Sequence, residues 1–317
     1  MKNLNFILLG LAFMGIFTFT SCEEDPEPEP EIVNIVETAQ ASDNLSMLVD
    51  ALVAADLVDV LNGDGPFTVF APTNTAFQDL LDTNPDWDTV EDIDKATLTS
   101  VLLFHVLGGS IMSSDLSDSY VTTNSVGPND EPVVLQIDVT GGVKFNGTAE
   151  PVTTDVETTN GVVHIIDEVM LPPNVVTLAI NNPTNFSILV AALTRADLNT
   201  MYATILQNPG PFTVFAPTDQ AFNDLLNSNP DWSILDDIPV ATLEAVLNYH
   251  VIQNANVQAD QLTDGAAVTT LGGSDLTIDL SDGAKLSTTS GQSVDIILTD
   301  VQGTNGVIHA IDTVLLP

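Results

Sequence analysis

Hydrophobic and polar residues alternate along this chain with periods that change from segment to segment. Leu45, Leu48, Val49, Leu52 and Val53 recur at helical spacing, and Asp43 or Asn44 stands where a helix cap is expected. Phe67-Thr68-Val69-Phe70 is a short β-rich run that Pro72 ends. Thr73 then caps a second predicted helix carrying Phe77, Leu80 and Leu81. A third helix is predicted over residues 95–104, with Leu98, Val101, Leu102 and His105 on one face. After Gly108-Gly109 the character turns to strands. Residues 133–139 and 143–145 flank Thr140-Gly141-Gly142, which reads as a hairpin turn, and Asn160-Gly161 precedes a last strand over 162–170. Helices early and strands late predict an α+β unit with an antiparallel sheet.

That unit is written twice. PFTVFAPT at 66–73 returns at 211–218, NPDW at 84–87 at 229–232, HV at 105–106 at 250–251, and NGVVHIIDEVMLP at 160–172 as NGVIHAIDTVLLP at 305–317. Each pair lies 145 residues apart. The first helix, NLSMLVDALVAADL at 44–57, returns as NFSILVAALTRADL at 185–198 with an offset of 141, so the second copy gains four residues before Gly210. Even spacing across so many blocks implies a duplicated domain, each copy large enough to own a core. The division reads as 33–172 and 177–317 with a join near Pro172–Val176. Asp282-Gly283 takes the hairpin role in the second copy, and Lys144 and Lys285 occupy equivalent positions, each expected in a structural ion pair.

The amino terminus reads as an address. Lys2 precedes a fourteen-residue apolar run at 6–19, too short for a membrane span of about 20 residues and suited to a signal-peptide core. Thr20 and Ser21 lead to Cys22, the single cysteine of the chain, in a context that resembles a bacterial lipobox, although the leucine usual three residues upstream is missing. The expectation is a signal peptide over 1–21 and a lipid on Cys22, with plain secretion as the alternative. Residues 22–32 then form an acidic, proline-rich tether; EEDPEPEPE favours an extended conformation and resembles the surface-export signal of Bacteroidetes-type lipoproteins. The expected location is the outer membrane, exposed at the cell surface, with the periplasmic face as the other option.

Composition narrows the functions. The 317 residues contain 44 acidic and 5 basic side chains, a formal charge of −39. Nucleic acid is excluded as a partner, because phosphate binding needs clustered Lys and Arg. One cysteine leaves no internal disulfide and no cysteine-based zinc site. Two readings of the charge stand side by side: a solvated face suited to salty surroundings, and surface carboxylates that bridge calcium weakly to an anionic matrix. No GxSxG, GxGxxG, P-loop or HExxH pattern occurs, so no catalytic residue and no firm cofactor or metal site is assigned. Acid pairs such as Asp92/Asp94 and Asp236/Asp237 are not strictly repeated, since Asp94 corresponds to Pro239. The four histidines, His105, His164, His250 and His309, read as buried and hydrogen-bonded.

The repeated blocks resemble the fasciclin-like domain family. Three segments in each copy carry the resemblance: TVFAPTN and TVFAPTD (68–74, 213–219), FHV and YHV (104–106, 249–251), NGVVHIID and NGVIHAID (160–167, 305–312). The resemblance implies two tandem fasciclin-like domains, each a β-sandwich wedge with packed helices, and roles in adhesion and extracellular-matrix contact without catalysis. In adhesive members a Tyr-His pair is tied to receptor contact. Tyr249-His250 matches it, and Phe104-His105 is its counterpart without the hydroxyl. These four are the candidate adhesion contacts. The expected partner is an extracellular polysaccharide or a surface protein; a carbohydrate-binding accessory role is the alternative, and the oligomeric state is left open.

Overall fold

The computed structural model describes residues 32–317, and the expected lipid site at Cys22, the expected signal peptide and all but the end of the expected tether lie outside them. Chain order in the first copy is α1 (Ile35–Gln40), α2 (Ser46–Ala54), α3 (Val58–Leu61), β1 (Phe67–Pro72), α4 (Asn74–Leu81), α5 (Lys95–Phe104), β2 (Val106–Gly108), β3 (Ser119–Val126), β4 (Pro132–Asp138), β5 (Lys144–Phe145), β6 (Pro151–Thr158) and β7 (Gly161–Ile166). The second copy repeats it as α6 (Val175–Ile180), α7 (Pro183–Leu193), α8 (Tyr202–Leu206), β8 (Phe212–Pro217), α9 (Asp219–Ser228), α10 (Val240–Tyr249), β9 (Val251–Gln253), β10 (Ala267–Thr269), β11 (Asp275–Asp279), β12 (Lys285–Thr288), β13 (Ser293–Gly303) and β14 (Gly306–Ile311). Helices lead and strands follow in both, as the α+β pattern predicts.

Local chemistry accounts for most boundaries. Thr73 accepts a hydrogen bond from the Ala76 amide and starts α4; Thr218 does the same for α9. Asn34 and Asn174 cap α1 and α6, so the short join at 173–176 already contains the cap and first residues of a helix of the second copy. The cap of α2 is not Asp43 or Asn44. The Met47 amide donates to Asn74 Oδ1 at 2.9 Å, and Asn74 Nδ2 donates back to the Asp43 carbonyl at 2.8 Å. In the second copy Asp219 Oδ1 takes the Ile188 amide at 2.7 Å. The residue that follows the TVFAPT block therefore holds an amide 27 or 31 positions earlier in the chain, in the second copy just after Phe186 breaks α7 with φ −127°, a contact that no local signal announces.

The sheet departs from expectation. β1 and β7 run parallel, with Phe67 opposite Gly161, and β8 and β14 repeat this with Phe212 opposite Gly306. The sheet order is β2-β1-β7-β6, so one parallel pair sits between antiparallel neighbours. The helices α4 and α5 and the whole of β2–β6 lie between the two partners, which supplies the long crossover a parallel pair requires. The last strand also ends at Ile166 rather than 170. In the first copy β3-β4-β5 forms a separate sheet; in the second, β13 bridges both groups into one seven-stranded sheet.

Two cores result in each copy. Val69 and Ala71 of β1 join the helices, while Phe70 of the same strand, with Phe104, Val133, Leu135, Phe145 and Ile166, fills the space between the two sheets. β1 is thus covered on both faces, which explains why FTVFAP is buried without alternation, Thr68 included. Phe70 is wholly buried, while Phe67 at the strand's start is only partly so.

Gly161 holds this arrangement together. A Cβ there would lie 2.0 Å from the Phe67 carbonyl oxygen, and one on Gly306 would lie 2.3 Å from that of Phe212. Neither neighbour can yield, because each is backbone of the paired strand. Gly161→Ala is expected to destabilise the fold by about 3 kcal/mol, read as a lower denaturant midpoint.

The two copies touch through uncharged groups. Asn181 Nδ2 donates to the Asn146 carbonyl at 2.8 Å, Asn182 Nδ2 donates to the Tyr120 hydroxyl at 2.8 Å, and Val134 of β4 enters the core of the second copy. Amides and apolar groups make these contacts. The four basic residues among those described are spent within the copies: Lys95 pairs with Asp56, Lys144 with Glu150 at 3.7 Å, Arg195 with Asp197 at 2.7 Å, and Lys285 with Asp295 at 3.2 Å.

Candidate functional site

The recurring motifs converge on one hydrogen-bond network per copy. Thr68, fully buried in β1, donates through Oγ1 to the Gly109 carbonyl at 2.8 Å and accepts from the Ile111 amide at 2.9 Å. The Ile111 carbonyl is met by His164 Nε2 at 2.9 Å, and His164 Nδ1 faces the Asp155 amide at 3.3 Å. That geometry assigns His164 the tautomer protonated on Nε2. Asp155 sits at a β-bulge with φ 59°, and its carboxylate takes the Ser113 amide at 2.7 Å together with the Ser113 hydroxyl. The second copy repeats the circuit through Thr213, Val257, His309, Asp300 and Ala259. Only the hydroxyl is lost, since Ala259 stands where the first copy has Ser113. The network ties β1, the loop after β2, β6 and β7 into one body.

Sequence reasoning singled out the histidines and missed Asp155 and Asp300. The available signal was the tripeptide Thr154-Asp155-Val156, which returns as Thr299-Asp300-Val301 at the common spacing of 145.

The candidate adhesion residues lie inside. Phe104 and Tyr249 are 0% and 1% exposed, His105 and His250 2% and 3%. His105 Nδ1 meets the Val101 carbonyl at 2.7 Å while Nε2 accepts from the Met170 amide at 3.0 Å. His250 does the same with Val246 and Leu315. Both imidazoles are neutral and protonated on Nδ1, and burial pushes each down to about 4. The Tyr249 hydroxyl donates to the Asp275 carbonyl at 2.9 Å. A partner that meets the folded surface touches none of these four rings, because each is fully committed to backbone partners or to the core.

The acid pairs also have structural work. Asp92 accepts the Asp88 and Thr89 amides at 2.9 and 2.8 Å, and these bonds hold its carboxyl below the usual range; Asp237 accepts those of Ser233 and Ile234 in the same turn. Asp94 caps α5 through the Thr97 amide at 3.0 Å. Among the described residues no group of three or more His, Cys, Asp or Glu is arranged to hold a metal ion, and no helix is long and apolar enough to cross a membrane.

Between the copies lies a groove of about 630 Å³, walled by β3 and β4 on one side and by the start of α7 and β13 on the other. Tyr120, Gln136, Asn182 and Asn185 line it with Leu298.

Comparison with known proteins places these observations. The model of the fasciclin domain matches the chain twice, over residues 43–172 and 184–317. The Synechocystis sp. protein sll1735 is 41% identical over 138 residues, covering 44% of this chain and 97% of that protein. Human periostin is 28% identical over 290 residues, covering 90% of this chain and 31% of periostin. Rat stabilin-2 is 31% identical over 235 residues, covering 69% of this chain and 15% of its own length, so both animal proteins extend far beyond the part that is similar. Among solved structures, a domain pair from the insect cell adhesion molecule fasciclin I covers 89% of this chain and 96% of its own at 17% identity and a TM-score of 0.47. With both repeats matched, and Thr68 and His164 of two motifs joined in a network that Thr213 and His309 repeat, the chain belongs to the fasciclin domain family.

Proposed function

We propose that this chain is a non-catalytic lipoprotein, held in the outer membrane through a lipid on Cys22 and displayed at the cell surface, where its two fasciclin domains mediate adhesion or contact with extracellular matrix or exopolysaccharide. The observation that carries the reading is the tandem fasciclin match over nearly all of the chain beyond the tether, because fasciclin domains occur in cell-adhesion proteins. Support for the anchor comes from the sequence alone: the apolar run at 6–19, the single cysteine directly after it, and the acidic tether that follows. The packing adds a mechanical argument. A junction that buries Val134 in the neighbouring core transmits pull between the copies as one body, which suits a passive grip.

Deleting the gene should reduce attachment and aggregation of the cells, and a Cys22→Ser protein should neither incorporate labelled palmitate nor restore attachment. Normal attachment of the deletion strain across several surfaces and salt concentrations would overturn the adhesive reading.

A further inference from the structure

We infer that the groove between the two domains is a binding site for a neutral, hydroxyl-rich ligand, a saccharide segment of an extracellular glycan. This rests on the adhesive reading above and names the chemical class of its partner.

The groove's volume of about 630 Å³ falls in the ordinary range of ligand pockets, roughly 300–1,000 Å³. Its wall contains a polar group with nothing to bind. Gln136, on β4, is 8% exposed, and its side-chain oxygen is buried without a hydrogen-bond partner. Buried polar atoms left in that state cost about 1–3 kcal/mol, so a fold retains one at a cavity wall most easily where a second molecule completes it. Tyr120 stands opposite Gln136 in the β3–β4 register, and its hydroxyl accepts from Asn182, which in turn accepts from Asn185 at 3.0 Å. The row Gln136–Tyr120–Asn182–Asn185 is thus a line of amides and one phenol that crosses from one domain to the other. Leu298, 39% exposed, supplies an apolar patch on the facing wall.

The chemistry selects the ligand. No Lys, Arg or His lines the groove, so an anionic sugar or a phosphate would meet no counter-charge. Three carboxylates also line it, each accepting a backbone amide: Asp118 that of Val139, Asp138 that of Thr140 and Asp300 that of Ala259, all at 2.7 Å. A hydroxyl both donates and accepts, so it satisfies the Gln136 amide whichever way its oxygen and nitrogen are turned. Sugar rings also offer a C–H face that fits Leu298 and the ring of Tyr120. The site needs both domains, because no single copy supplies both walls.

The test is calorimetric titration of the whole chain with cellohexaose, xylohexaose and laminarihexaose, alongside a galacturonic acid oligomer and a glucosamine oligomer. Expected is binding of at least one neutral hexasaccharide with a single ligand per chain. Gln136→Leu should weaken it about tenfold, equal to the loss of one hydrogen bond, while leaving Tm unchanged or higher because the orphan atom is gone. Asn185→Ala, at an exposed position, should weaken binding as well and serves if Gln136→Leu does not fold. Lack of binding by every neutral oligomer, two ligands per chain, unchanged affinity in both variants, or preference for the glucosamine oligomer would each overturn the inference. Cells that need the protein for attachment although it binds no glycan would leave the adhesive reading standing and remove only the groove. A protein that binds neutral glycan in cells whose attachment ignores it would do the reverse.

Discussion

Acidification from about pH 7.5 to pH 5 is expected to lower the unfolding free energy by about 4 kcal/mol through His105 and His250 together. Both rings are buried and neutral, with their affinity for a proton pushed down to about 4 by burial. In the unfolded chain a histidine titrates near 6.5. Below that value the unfolded state takes up a proton that the folded state refuses. Stability is therefore complete above about 6.5, falls as pH drops, and the loss saturates near 4, at about 2 kcal/mol per ring by pH 5. His309 is also pushed down by burial and adds in the same direction. The carboxylates held low by hydrogen bonds, Asp92, Asp155 and Asp237 among them, act in a separate window, since their contribution is lost only as pH falls below about 4. Relief of self-repulsion in a chain of formal charge −39 opposes the histidine effect. The difference between the wild type and His250→Gln isolates it: chemical denaturation at several pH values should show a shallower slope between pH 6.5 and 4.5 in the variant. Parallel curves would mean that His250 does not carry the proton linkage.

Asn160→Ala is expected to cost about 3–4 kcal/mol, as one residue serves three backbone groups, two of them in buried bonds. Asn160 Oδ1 takes the Ile35 amide at 3.0 Å, and Nδ2 donates to the Leu61 and Gly63 carbonyls at 2.7 and 2.9 Å. It thereby pins the start of α1 and the end of α3 to the turn before β7. Asn305 repeats this with Val175, Leu206 and Asn208. Asn160→Asp keeps the shape and the acceptor but turns two donors into an oxygen facing two carbonyls, so it should fall at least as far. Urea denaturation of both variants measures the loss; a midpoint within error of the wild type for Asn160→Ala would show that water replaces the amide without cost. Because the neighbouring Gly161 is required by its approach to Phe67, the Asn-Gly pair is two constraints at adjacent positions. Read from the sequence, it is a turn signal; in the fold it is also the clamp on the first helix.

The same division runs through the whole chain. Repetition at 145 residues, the Thr73 cap, the helix over 95–104 and the hairpin turns were legible because each depends on neighbours within a few positions or on the chain's likeness to itself. Family membership followed from those local blocks. The parallel pairing of β1 with β7 was not legible. Side chains alternate with the same period in either strand direction, and the partners are about ninety residues apart, so only the packed helices decide which way the strand runs. Burial of Tyr249 and His250 likewise depends on strands that arrive later in the chain, β11 and the segment ending at Leu315. The groove between the domains had no trace in either copy. Its walls come from different copies, and its open valence at Gln136 exists because tertiary packing covers that oxygen and offers it nothing. The sequence by itself determined the twofold plan, the local elements and their caps. The tertiary structure alone decided strand direction, which motif residues face inward, and where two anionic bodies meet through amides, since these rest on contacts between distant segments that no local preference encodes.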